Sequence, residues 1–284
     1  MLQRQTENHW RLPLEVCRLN DYWAERQAKI QDALTTKNQK KIEKQLRIYY
    51  GTAARQIIAD FESVYNKLLA QKAEGKEVTP ADLYKLDKYW QMQGALHQEL
   101  RKLGEKEISL LTKYFEINFF DNYYSINIEG KKAFNTINAE GARTLINTAW
   151  LNDGKSFSQR VWENTERLIE TLNEQLIHTV VTGKKTTDLK NSLQERFGVS
   201  YSRADTLVRT ELCHIQTMAA KQRYEDYGLK YYEILGNDDD SCGNHSVNCH
   251  DMNGKRFLYS EMKAGVNAPP FHPNCKCAII PVVD

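Results

Sequence analysis

Proline divides this sequence into two unequal regimes. Between Pro80 and Pro269 there is none, and then Pro269, Pro270, Pro273 and Pro281 follow in close succession. Proline lacks an N–H and its ring collides with the preceding helical turn. Long uninterrupted helices are therefore expected in the first regime and excluded from the second. Cysteine follows the same division: of the six, at positions 17, 213, 242, 249, 275 and 277, four fall after residue 240.

Helical periodicity fills the proline-free part. From Asn38 to Ala70, Ile42, Leu46, Tyr49, Ala53, Ile57, Phe61, Val64 and Leu68 recur every three or four residues, which places them on one face of a long amphipathic helix. "AEGKEVTP" interrupts it, and "TPADLYKL" starts another, with Thr79 as N-cap and Pro80 at the first helical position, where a missing N–H costs nothing. That helix is expected to run from about Pro80 to Tyr114, antiparallel to the first. "EINFFDNYYSINIEGKKAFNTI", rich in aromatics and asparagine, suggests a change of element or a short strand pair. Helical patterns resume in "NAEGARTLINTAW", "SFSQRVWENTERLIETLNEQLIHTVVTG", "TTDLKNSLQERFG" and "YSRADTLVRTELCHIQTMAAKQRYEDYG". Ser158, Thr187 and Ser200 or Ser202 are candidate caps, and Gly154, Gly183, Gly198 and Gly228 mark expected stops. Together these predict a bundle of short helices.

After Gly228, "LKYYEILGN", "GKRFLYS" and "KCAIIPVVD" read as strands separated by polar loops that hold the concentrated Cys and His. The expected fold is mainly α: a long N-terminal helical hairpin over 1–137, a helical bundle over 138–228, and a small α+β or β-rich module over 229–284. A module of that size has a marginal core, and a bound metal is a common remedy.

Balanced charge, 39 Lys and Arg against 37 Asp and Glu for a net +2, gives no general case for a polyanionic partner. The first thirty residues lack the apolar core of a secretory signal, and no apolar run reaches the roughly 18 residues of a bilayer span. A soluble protein made in the cytoplasm, with no membrane partner, is expected. In such a compartment clustered cysteines point to metal binding or burial ahead of a disulfide framework.

The loop "NDDDSCGNHSVNCHDMNGKRF" supplies Cys242, His245, Cys249 and His250, and "FHPNCKC" supplies His272, Cys275 and Cys277. Zinc takes four soft or borderline ligands in a tetrahedron, and two loops joined by a strand pair commonly provide them. Cys249, His272 and Cys275 are the first candidates for a structural zinc site, Cys242 the fourth, and Cys277, His245 and His250 the alternatives. Against this set stands the six-residue spacing inside the first loop and the single residue between Cys275 and Cys277, which in an extended segment points them to opposite faces. The competing readings are reduced, partly buried cysteines with His272 bonded to backbone, or a disulfide formed after release from the cell.

Other chemistry is less well served. A His-Asn-His type nuclease needs a general-base histidine ending one strand and a helix carrying further metal ligands, whereas His272 is pinned between Phe271 and Pro273 in a rigid loop, and a thiol nucleophile is no better supported. Asp238, Asp239 and Asp240 are adjacent and cannot all face one cation, which makes a solvated loop the better reading. Arg209 and Glu211, two apart on a helix, diverge and are free to pair with another helix or the terminal module. Cys213 and Met218 sit among apolar neighbours and read as core, and His178 and His214 as ordinary surface or core histidines.

The ordered set "RVWENTERL", "RADTLVRTELCHIQTMAA", "CHDMNGKRF" and "GVNAPPFHPNCKC" resembles the phage Mu F-like minor head protein family, the head morphogenesis or minor capsid proteins of tailed phages. The resemblance covers about 138–284. It is carried by Arg209, Thr210 and Glu211, by the turn from Cys249 to Gly254 and Lys255, and by Pro270, Pro273 and Asn274 around His272 and Cys275. Asn253 stands where the family usually has aspartate, and the gap from Cys242 to Cys249 is longer than in members with paired cysteines. The resemblance implies a non-enzymatic virion component of the head, at the portal vertex, with the portal and other head proteins and packaged DNA as partners. The competing class is a metal-dependent nuclease or toxin acting on nucleic acid; a general DNA-binding protein is a third, disfavoured by the balanced charge.

Overall fold

The computed structural model describes residues 14–75, 79–128, 132–133, 136–236 and 249–282, with side chains described from Glu25 onward. Its helices are α1 (Leu14–Ala73), α2 (Pro80–Tyr84), α3 (Asp87–Ser125), α4 (Ala139–Asn147), α5 (Phe157–Thr182), α6 (Thr186–Asp226) and the short α7 (Cys249–Met252). Three strands, β1 (Tyr231–Leu235), β2 (Arg256–Leu258) and β3 (Ala278–Pro281), form an antiparallel sheet in the order β2-β1-β3.

Helices α1, α3, α5 and α6 bury one continuous core. Ile42, Leu46, Ile57, Phe61, Val64 and Leu68 of α1 are all at most 1 % exposed, so the periodic face read from the sequence is the buried one. One position differs: Tyr50 is buried, and Tyr49 packs at the margin. Removing each large side chain from water contributes roughly 1.5–3 kcal/mol. Thr79 and Pro80 open α2 as expected, with Asp82 accepting from the Thr79 N–H at 2.9 Å. The helix ends within five residues, however, and α3 begins separately at Asp87.

Several expectations fail here. The first part of the aromatic stretch, Glu116 to Ser125, is still α3, and the change of element comes only after Ser125. Phe115, Phe119 and Tyr123 continue the four-residue spacing of Leu111 and are fully buried, so tertiary packing overrides the β preference of the aromatics. Nor is there a helix boundary at Gly198, since α6 runs unbroken for 41 residues and the bundle is built from long helices. Ser200 lies buried inside α6, and its carbonyl accepts from Asn164 Nδ2 at 3.0 Å, so it caps nothing. Ser156 rather than Ser158 caps α5, in a reciprocal box with Gln159, and Lys185 rather than Thr187 precedes α6. Gly183 does close α5, in the left-handed conformation that favours glycine (φ 62°).

The three strands lie where the sequence placed them. The sheet packs on the C-terminal end of α6, with Tyr224, Tyr232 and Tyr259 buried together beneath it. Tyr232 also donates to the Asn267 carbonyl at 2.9 Å, tying β1 to the proline-rich loop. On its other side β3 meets α1, where Ala28, Ala278 and Ile280 form a small apolar contact. Arg223 fixes the end of α6 by stacking over Tyr123 and Tyr227 and donating to the Ile126 carbonyl at 3.2 Å.

Candidate metal centre

The segment His272-Pro273-Asn274-Cys275 is a tight turn. The Cys275 N–H donates to the His272 carbonyl at 3.2 Å, and Asn274 adopts φ 61°. Proline at the second position and a left-handed asparagine at the third are the residue preferences of a type II turn. Its consequence is that His272 and Cys275, its first and last residues, are brought together. The Asn274 N–H donates to Thr210 Oγ1 of α6 at 3.1 Å, which docks the turn on the helix.

Facing the turn is Cys249, the first residue of α7. It is held by the junction between β1 and α7, where the Gly254 N–H donates to the Ile234 carbonyl at 2.8 Å and the Gly236 N–H to Asn253 Oδ1 at 2.8 Å. A Cβ on Gly236 would lie 2.9 Å from the Cys249 carbonyl, so only glycine fits that approach. A carboxylate at position 253 could accept the same hydrogen bond, which reconciles Asn253 with the family's usual aspartate.

Cys249, His272 and Cys275 are all buried, and one ligand atom from each lies within 4.8 Å of the others. Cys249 Sγ is 3.1 Å from His272 Nε2, and His272 Nδ1 is 2.8 Å from the Pro273 carbonyl. A carbonyl can only accept, so Nδ1 carries the proton and Nε2 presents its lone pair toward the thiols. Hydrogen bonds from the Cys213 and Cys277 thiols hold Cys275 well below the ordinary thiol range despite its burial. Cys213, the donor to Cys275, is pushed well up, and burial adds to that shift.

Of the other candidate ligands, Cys277 is buried beside this group, and His250 is exposed on α7. Cys242 and His245, like Asp238 to Asp240, lie outside the described residues. Cys213, read from the sequence as core, is indeed buried, but its Sγ also lies 3.6 Å from the Cys277 carbonyl. A lone cysteine on an apolar helix face carries no spacing signal; only the folded chain places it with the others. None of Cys213, Cys249, Cys275 and Cys277 is joined to another in a disulfide.

The remaining motif residues surround this centre. Arg209 pairs with Glu43 of α1 at 3.2 Å and with Asp205 at 3.0 Å. Glu211 points the other way, is 3 % exposed, and accepts from Trp150 Nε1 at 3.0 Å. Burial pushes its carboxyl up to about 7. Next to it His214 stacks on Trp150 with ring centroids 4.4 Å apart, and burial pushes its pKa down to about 3, so it is neutral. The Lys255 carbonyl accepts from the Ile234 N–H at 3.0 Å within the β1–β2 junction, and Pro270 follows Pro269 through a cis bond.

Fold and centre together define a class: a protein of long packed helices carrying a small three-stranded module closed by a buried Cys/His cluster. Residues 170–280 match the family described as Phage Mu protein F like protein, and over that span the chain is similar to that family. The match runs from within α5 into β3 and takes in the motif residues from Arg209 to Asn274 and the whole cluster, while "RVWENTERL" lies just before it. No curated protein and no solved structure matches the chain. No described helix is long and apolar enough to cross a membrane.

Proposed function

We propose that this chain is a minor head protein of a tailed phage, acting in head morphogenesis at the portal vertex. The observation that carries the proposal is the Mu F-like match, which spans α6 and the terminal module. Helices α1 to α4, outside the match, supply docking faces: helix-in-groove recognition needs apolar anchors at helical spacing. Trp90, 59 % exposed, with Tyr84 and Tyr89 packed against it near the start of α3, is the strongest such anchor.

The protein acts by assembly and not by catalysis. A nuclease centred on His272 would need a ring nitrogen free to take a proton, yet both nitrogens are engaged and the side chain is buried. The test is co-expression with the portal protein of the same phage, followed by co-purification and electron microscopy of particles assembled with and without this chain. A stoichiometric complex with portal, weakened at least tenfold by Trp90→Ala, is expected. Divalent-metal-dependent cleavage of phage DNA by the purified protein, abolished by His272→Ala, would overturn the reading in favour of the nuclease.

A further inference from the structure

We propose that Cys249, His272 and Cys275 hold a structural zinc ion whose fourth ligand is Cys213 of α6. The inference stands on the geometry of the cluster and is independent of where the protein sits in a particle.

Three observations fit zinc. The donor set is two thiols and an imidazole, all buried, and the ligand atoms already lie within 4.8 Å of one another. Ligand atoms around a tetrahedral zinc are separated by about 3.5–4 Å, so small side-chain adjustments close the site. The Pro273 carbonyl fixes the tautomer that aims Nε2 into the cluster, and a backbone acceptor on the far nitrogen is the usual support of a zinc-bound histidine. Finally, the two residues between His272 and Cys275 match the spacing of local zinc chelates.

The fourth ligand must come from a side not yet used. Cys213 approaches from α6: it lines the same cleft as Cys275, its Sγ is 3.6 Å from the Cys277 carbonyl, and a turn of its side chain would bring it to the three ligand atoms already gathered. Its existing bond to the Cys277 carbonyl, at 3.6 Å, comes from a thiol, a weak donor, and is readily given up. Cys277 is the rival, since its thiol also reaches Cys275. One intervening residue, however, is shorter than the spacing local chelation uses, and Cys277 leads directly into the extended backbone of β3. A cleft of about 110 Å³ between α1, α6 and the turn is lined by Cys213, Cys275, Arg209 and Asp32, among others, and gives a metal a way in. Binding would displace the thiol protons to solvent and leave three thiolates and one neutral imidazole on the ion.

Such a site is a staple: it fastens the turn and α7 to the middle of α6 as well as to each other. The test uses the full chain purified without added metal. About one zinc per chain is expected by elemental analysis. Iodoacetamide labelling read by mass spectrometry should show Cys213, Cys249 and Cys275 protected with zinc and modified after chelation. In Cys213→Ser with unchanged helical circular dichroism, the thiolate-to-cobalt band of the Co(II)-substituted protein should fall by about a third, as two of three thiolates remain. Protection of Cys277 or Cys242 in place of Cys213 overturns the ligand assignment, as does an undiminished cobalt band in Cys213→Ser. Zinc below about a tenth of an equivalent in the unaltered chain overturns the site itself.

Discussion

Glu107 interrupts the apolar face of α3, and replacing it with glutamine should make the protein more stable at pH 8 and nearly unchanged at pH 5. Its side chain is buried where α1, α3, α5 and α6 meet, and one carboxylate oxygen accepts from Tyr50 Oη at 3.0 Å. The other oxygen has no partner among the described residues. Asn164 completes the layer by donating to Tyr50 Oη at 3.1 Å. Burial raises the Glu107 carboxyl from 4.5 to about 7, with the Tyr50 hydrogen bond opposing the shift. Between those values the folded protein holds a proton that the unfolded chain has released, so stability falls as pH rises through the window and levels off above 7. A shift of that size corresponds to about 3 kcal/mol at pH 8.

Glutamine keeps the shape and removes the charge. Melting followed by fluorescence at pH 5, 6, 7 and 8 should show Glu107→Gln gaining roughly 5–10 °C over the parent at pH 8 and little at pH 5. Glu211 titrates in the same direction, but it is present in both proteins and cancels in the difference. A gap between the two melting curves that is the same at every pH, or that shrinks as pH rises, would refute the claim that Glu107 is a buried, strained charge.

Two further predictions concern packing. Gly94 has open space around its missing Cβ, so Gly94→Ala should stabilise α3 by about 0.5–1 kcal/mol through backbone entropy, whereas a Cβ on Gly104 would sit 2.7 Å from the Trp162 ring and Gly104→Ala should destabilise. Opposite signs in urea denaturation check this; equal signs would mean Trp162 moves aside at little cost. Thr210→Val removes the acceptor for the Asn274 N–H and should cost about 0.5–1.5 kcal/mol. Hydrogen exchange should quicken at residues 272–277 while the amides of α1 and α3 keep their protection.

The parts of this fold that could be read from the sequence are those with local signatures. The buried stripe of α1, the Thr79-Pro80 start, the Gly183 stop and the three strands each rest on spacing or turn chemistry within a few residues. The His-Pro-Asn-Cys turn has a local signature too, but from the sequence alone it reads only as a loop that pins His272. What escaped was set by distant partners. The aromatic end of α3 is helical because Phe119 and Tyr123 have a core to fill, and α6 passes through Gly198 because Ser200 is held by Asn164 from α5. Cys213 comes near the turn only because α6 carries it there from far earlier in the chain, and no pattern around it announces the meeting.

The contact between β3 and α1 ties together segments made far apart in time. As the chain leaves the ribosome, α1, α3, α5 and α6 can collapse on one another, but the patch around Ala28 stays uncovered until Ala278 and Ile280 arrive. Because so long a stretch must be searched before that contact forms, its closure is expected to be a late step. A copy interrupted before β3 would keep that patch, and Leu235 beside it, open to water, and would thereby be distinguishable from a finished one.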